Sequence, residues 1–307
     1  MHESRPFHNP FSSALLERRS ETRAGADWLT RALQDRECRF VIGRGALHLV
    51  TTETQSTIAW QTATHAWVRN ADASQFSLLG WYRGICHVLV ETLDDAQPLP
   101  ANTTFSELRP LLNLFDDGET RLLLCARALS LWRARHRHCG VCGVPTAPRN
   151  AGHSVRCTNS DCGTEFFPRI DPAVIMLVHD DDHVLLGRQA AWPAGRYSTL
   201  AGFVEVGESL EDAVIREVFE DTGVRVEQPH YHASQAWPFP SSLMLGYHAA
   251  GKRGPITLDG ELEDARWFSA ADVEGNLVLL PPSFTIARQL LAHWFQAATG
   301  RALNAQL

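Results

Sequence analysis

The segment Gly202-Phe-Val-Glu-Val-Gly-Glu-Ser-Leu-Glu-Asp-Ala-Val-Ile-Arg-Glu-Val-Phe-Glu-Asp-Thr-Gly-Val224 decides how this chain is read. Leu210, Ala213, Val214 and Val218 recur at helical spacing and Gly223 follows as a helix-ending residue, so an amphipathic helix is expected over residues 208–222. Glu217 stands three residues before Glu220 and four before Asp221, which puts the three carboxylates on one helical face. Most acidic runs are simply solvated. Here the acids meet with Arg216 as the one nearby cation, and the glycine-bearing stretch 202–207 lets backbone come close to a ligand. Hard divalent cations need such a patch: oxygen ligands that offset their charge and leave positions for water and phosphate oxygens.

Working outward, the apolar runs 173–179 and 184–188, joined by Asp180-Asp181-Asp182, form a hairpin pattern, and a strand is expected from Val224. Upstream, Cys139-Gly-Val-Cys142 and Cys157-Thr-Asn-Ser-Asp-Cys162 make two cysteine pairs about 15 residues apart, suited to two knuckles gripping one tetrahedral zinc ion. Four thiolates leave no open position, so such a site is structural. Cys38, Cys86 and Cys125 are expected to be ordinary buried thiols. Residues 105–137 carry leucines at helical spacing, and Asp116-Asp117-Gly118 is expected to split them into two helices. The basic run Arg133, Arg135, His136, Arg137 and His138 reads as a solvated helix end. Before it, the runs 40–42, 46–50 and 84–90 alternate with polar turns, as in a strand-rich α/β region.

A length of 307 residues calls for more than one domain, and the expected division is 1–130 for an N-terminal α/β domain, 131–168 for a zinc ribbon and 169–307 for the region holding the acidic helix. Hydrophobic residues at 44% and charged residues at 21% are those of a globular protein. The formal net charge of -7 argues against general attraction to nucleic acid or anionic membrane. No apolar stretch approaches the ~20 residues of a membrane span, and the start lacks a signal-peptide pattern. With four of seven cysteines in paired spacing, a reducing, cytoplasmic location is expected.

The series Gly202, five residues, Glu208, seven residues, Arg216-Glu217, then Glu220-Asp221 and Gly223 closely resembles the Nudix box. It departs at Asp221, where the family usually has Glu. The resemblance implies an α/β/α sandwich in which Glu217, Glu220 and Asp221 hold magnesium or manganese and Arg216 orients them. A second stretch, Ser234-Gln-Ala-Trp-Pro-Phe-Pro-Ser-Ser-Leu-Met244, is similar to the signature of the NADH pyrophosphatase (NudC-type) branch, with Ala236 in place of a proline. That branch also carries a four-cysteine ribbon ahead of its Nudix domain, so the resemblance covers about residues 105–303.

It implies a nucleotide pocket lined by Gln235, Ala236, Trp237, Pro238, Phe239, Pro240, Ser241 and Ser242, with Phe167 and Phe203 as stacking surfaces or, alternatively, core. It further implies Glu261 as a metal ligand opposite the helix, with Glu263 its most easily confused neighbour, the Ala201 carbonyl at the metal, Arg109 toward phosphate and Ala287 near the substrate. The implied activity is metal-dependent hydrolysis of NAD(H) to AMP and nicotinamide mononucleotide, extending to NAD caps on RNA 5′ ends, by a homodimer. Two alternatives stand beside it: hydrolysis of ADP-ribose or another nucleoside diphosphate derivative, and a non-catalytic, nucleotide-sensing Nudix module.

Overall fold

The computed structural model describes residues 16–52, 57–92, 98–275 and 277–303. Two units divide the chain: one runs to Arg169 and includes Pro238–Ser241, the other holds Ile170–Trp237 and the chain from Ser242 onward. Among the described residues, no helix is long and apolar enough to cross a membrane.

In the first unit, strands β1 (Leu16–Glu17), β2 (Arg39–Arg44), β3 (Leu47–Thr51), β4 (Phe76–Tyr82), β5 (Ile85–Glu91) and β6 (Thr103–Glu107) form a sheet in the order β1-β4-β5-β2-β3-β6. Helices α1 (Ser20–Arg23), α2 (Trp28–Gln34) and α3 (Ala66–Arg69) are short, whereas α4 (Asp117–Arg135) packs along the sheet. Phe40, Ile42, Leu49, Phe76 and Val88 supply its core.

The two-helix expectation over 105–137 is corrected. Residues 103–107 are an edge strand paired with β3, Arg109–Leu111 is a single 3-10 turn, and Asp116 starts one helix by accepting the Glu119 amide at 2.8 Å. Sheet pairing and the proline at 110 override the leucine periodicity. The basic run is also only partly solvated: Arg133 is partly buried, pairs with Glu91 at 2.8 Å and donates to the Ser77 hydroxyl. Cys38 and Cys86 are buried, but Cys125 is partly exposed, 3.2 Å from an Arg18 guanidinium nitrogen.

The ribbon is a three-stranded sheet, β7 (Thr146–Arg149), β8 (Ser154–Cys157) and β9 (Glu165–Phe166). In the second unit, β10 (Asp171–Asp180) lies centrally, parallel to β14 (Ser242–Gly251) and antiparallel to β11 (His183–Arg188) and β12 (Leu200–Phe203). Strands β13 (Val226–Trp237) and β15 (Asp264–Ser269) complete the path β13-β14-β10-β11-β15. The hairpin of β10 and β11 turns at Asp181, which takes a left-handed backbone.

Helix α5 (Leu210–Thr222) covers one face of this sheet; α6 (Ala270–Glu274) and α7 (Ile286–Thr299) cover the other. Strand alternation makes this possible, because Val174, Met176 and Val178 of β10 join the α5 core while Ile175 and Leu177 join the α7 core. Fully buried Ala213, Val214 and Val218 hold α5 down, the two valines contributing roughly 1.5–3 kcal/mol each. The second unit is therefore an α/β/α sandwich; in sequence, the ribbon stands between it and the N-terminal α/β domain.

Candidate active site

Ser209 caps α5 by accepting the Asp212 amide at 3.1 Å, and Gly223 ends it with a φ of 70°, which suits glycine best. Between these stops, the helix directs Arg216, Glu217, Glu220 and Asp221 toward β12 and the loop at Asp259. Arg216 is the hub. Its Nε and one terminal nitrogen hold the two Glu208 oxygens at 2.7 and 2.9 Å, its other terminal nitrogen reaches Glu217 and Glu220, each at 2.9 Å, and it donates to the Phe203 carbonyl at 3.0 Å. This bidentate pairing holds the Glu208 carboxyl down to about 2 and raises Arg216 above its ordinary value. Glu208 is thus a positioning residue that fixes the arginine between the acids.

The acids are not equivalent. Glu220 is exposed, Glu217 half-buried and Asp221 only 4% exposed. Burial, helped by the negative charges of Glu220 and Glu261, raises Glu217 against the lowering pull of Arg216. Burial first, then the negative charges of Glu217, Glu261, Asp259 and Glu220, pushes Asp221 up to about 7. One oxygen each from Asp221, Asp259 and Glu261 lies within 4.8 Å of the others. Asp259 was missed in the sequence: it sits in a loop without periodicity, and its one signal is the Asp259-Gly-Glu261 turn, in which Asp259 accepts the Glu261 amide at 2.9 Å.

Gly202 is placed against this cluster. A Cβ there would fall 1.8 Å from the Glu217 carboxyl carbon and 2.0–2.1 Å from its oxygens, so only glycine lets the strand approach the acid. Ala201 precedes it on β12, paired with Ile175. Glu263 is committed to Arg188 as an ion pair, and Asp264 accepts from the Tyr197 hydroxyl, so both stand apart from the acid group.

The donor set fits a hard divalent ion, since it is all carboxylate and its repulsions are those a cation relieves. In the ribbon, Cys139 and Cys162 sulfurs stand 3.7 Å apart and those of Cys142 and Cys157 3.4 Å, close to the ~3.8 Å edge of a tetrahedral zinc tetrathiolate. The Thr164 hydroxyl and amide draw the Cys162 thiol down to about 6, whereas burial pushes its neighbour Cys157 up to about 12.

At the β13–β14 hairpin the expected pocket residues differ in exposure and in partners. Gln235 is 3% exposed; its amide donates to the Phe284 carbonyl at 2.7 Å and accepts the Ile286 amide at 2.9 Å, so it fastens the start of α7. Ala287 is 4% exposed within the α7 core, and its methyl offers no surface to a ligand. Trp237 lies nearly parallel to Phe284, with 6.5 Å between ring centroids. Ala236 and Pro240 are exposed, Pro238 is buried, and Ser241 and Ser242 are half-buried. Phe239, in the first unit, carries the Arg127 guanidinium 4.6 Å from its ring centroid. Phe203 in the second unit is 60% exposed and Phe167 in the first 66%, so neither is core. Arg109 is exposed on its 3-10 turn in the first unit.

Known sequences resemble this chain in both the ribbon and the region that holds the acidic helix. The NUDIX domain profile matches residues 169–294, and that of the NADH pyrophosphatase zinc ribbon domain matches residues 134–167. A Stutzerimonas stutzeri protein, NAD-capped RNA hydrolase NudC, is 43% identical over 195 residues, covering 63% of this chain and 68% of that protein. The chain belongs to the Nudix family, in its NudC-type branch. The Mycobacterium tuberculosis NAD-capped RNA hydrolase NudC is 44% identical over 203 residues, and the match spans 61% of this chain and 64% of that relative's length. The human NAD-capped RNA hydrolase NUDT12 is 40% identical across 61% of this chain and 44% of its own length. Within the Nudix framework, the Arg216 hub and the acid group occupy the box helix and the loop facing it.

Proposed function

We propose that this Nudix protein hydrolyses the pyrophosphate bond of NAD(H), giving AMP and nicotinamide mononucleotide, and acts on the same unit where it caps an RNA 5′ end. The carrying observation is the convergence of Asp221, Asp259 and Glu261 beside the Arg216-bound Glu217 and Glu220. The NudC and NUDT12 relatives, each described as an NAD-capped RNA hydrolase, support the substrate class. The division at 1–130, 131–168 and 169–307, a homodimeric state and a cytoplasmic location belong to the same proposal.

Glu217, Glu220, Asp221 and Glu261, joined by Asp259, would hold magnesium or manganese, with the Ala201 carbonyl beside them. Such a metal, if bound, would supply positive charge to offset the phosphate oxygens and to lower the pKa of water. The chain's own part is positioning and proton handling. Arg216 fixes two acids at once, and Glu208, held ionised, keeps the arginine from swinging away. One carboxylate of α5, Glu220 or Asp221, would take the proton from the attacking water, whose oxygen joins phosphorus as the bridging P–O bond breaks. Trp237, backed by Phe284, and exposed Phe203 offer flat apolar surface to a base.

Parallel assays on NAD, NADH, ADP-ribose and NAD-capped RNA test the assignment. Preferential release of AMP from NAD(H) or of 5′-monophosphate RNA is expected; preferential turnover of ADP-ribose overturns the substrate. Nucleotide binding without any product would establish the sensing reading instead.

A further inference from the structure

Three imidazoles meet on the sheet face away from α5. His232 lies on β13, His248 on β14 and His293 on α7. Their ring centroids are 4.9–5.0 Å apart in every pairing, and the His293 Nδ1 is 3.2 Å from the His248 Nε2. One nitrogen from each ring lies within 4.8 Å of the other two. Strand alternation separates this cluster from the carboxylates. Neighbouring Tyr247 and Ala249 point into the α5 core, while His248 pairs with Leu177, a residue of the α7 core.

Metal–nitrogen bonds of 2.0–2.1 Å in a tetrahedral site set the nitrogens about 3.4 Å apart. The His248–His293 pair already has that separation, and closing the third ring requires at most ~1.4 Å, within reach of a side-chain torsion. Burial, with the nearby rings of His232, His293, His179 and His230 opposing a second charge, brings His248 down to about 3, so it offers the neutral imidazole that metals bind. A cleft of about 950 Å³, lined by His248, His293, His230 and His179 among others, gives an ion a way in.

We infer that His232, His248 and His293 form a second transition-metal site, taking a borderline divalent ion such as zinc, cobalt or nickel, with one coordination position open to the cleft. Imidazole donors favour these ions over magnesium, which prefers oxygen. The ion ties β13, β14 and α7 together. Gln235 on β13 grips the start of the same α7, so the site braces the frame that carries residues 234–242.

The test uses the full-length protein with its ribbon zinc in place and excess magnesium to fill the carboxylate patch. Added cobalt is expected to give visible bands of a nitrogen-ligated tetrahedral ion, without the sulfur-to-metal charge transfer that ribbon substitution produces. Bound transition metal should rise to about two ions per chain, and His293→Gln or His232→Gln should return it to about one with the ribbon zinc retained. Wild-type protein that stops at one ion and shows no such bands overturns the proposal, whatever the variants do. Variants that fold, by circular dichroism, yet still bind the second ion overturn it equally.

Discussion

Gly202→Ala is the most exacting perturbation of the catalytic arrangement. The new Cβ would sit 1.8 Å from the Glu217 carboxyl carbon, whereas carbon atoms pack at about 3.5–4 Å, so the carboxylate must retreat by at least ~1.7 Å. Glu217 moves on a flexible side chain, and Gly202 lies in a strand with ordinary backbone, so alanine strains no dihedral and the fold survives. What changes is the position of one acid. A misplacement of about 1 Å costs on the order of 10²-fold in rate, so kcat on NAD(H) is expected to fall by ~100-fold or more. Gly254→Ala is the control, since its Cβ would meet nothing within 4 Å. Steady-state kinetics with saturating magnesium, beside thermal melts, separate rate from stability. If Gly202→Ala keeps activity within about threefold of wild type at unchanged Tm, Glu217 does not work from this position and the reasoning fails.

Other substitutions probe the remaining parts. Asp221, 4% exposed and within 4.8 Å of Asp259 and Glu261, has no room for another methylene, so Asp221→Glu is expected to lower kcat; a rise would mark the aspartate as a compromised ligand. Because folding raises Asp221 from its ordinary value to about 7, metal-free native protein binds an extra proton between about pH 4 and 7, and stability declines as pH rises through that window. Urea midpoints in chelator should therefore drop from pH 5 to pH 8 by more in wild type than in Asp221→Asn, and magnesium should reduce the drop; equal slopes would contradict the shift. Gln235→Ala strands the buried Ile286 amide and should cost about 1–3 kcal/mol by urea unfolding, with a higher KM as Phe284 loosens behind Trp237. Cys142→Ser should lose the ribbon zinc by elemental analysis while the carboxylate patch still binds manganese; full zinc retention would exclude Cys142 as a ligand.

The box helix was legible because its chemistry is local. Ser209, the apolar spacing and Gly223 set the limits of α5, and the positions of Glu217, Glu220 and Asp221 follow from the helical repeat. Cysteine spacing was equally direct, since a tetrahedral ion constrains its ligands wherever the intervening loops go. What escaped depends on partners far along the chain. Asp259 joins the acids from a loop; Arg133 on α4 looks solvated until Glu91 arrives from strand β5. The leucines around 108–112 suggest a helix only because pairing between β3 and β6 cannot be seen locally. Gln235 sits in a nucleotide signature, yet its amide is spent on α7, 49 and 51 residues downstream. The three histidines come from β13, β14 and α7, and no spacing rule links them.

The central claim is that acids on α5 and the Asp259–Glu261 loop drive hydrolysis of a dinucleotide pyrophosphate with divalent metal. Chromatographic product analysis of NADH incubated with the purified protein, in magnesium and then in chelator, tests it most directly. AMP and reduced nicotinamide mononucleotide in equal amounts, formed only with metal and nearly absent for Glu217→Gln, is the expected result. Product formation that survives chelation, or that Glu217→Gln leaves intact, would contradict the account.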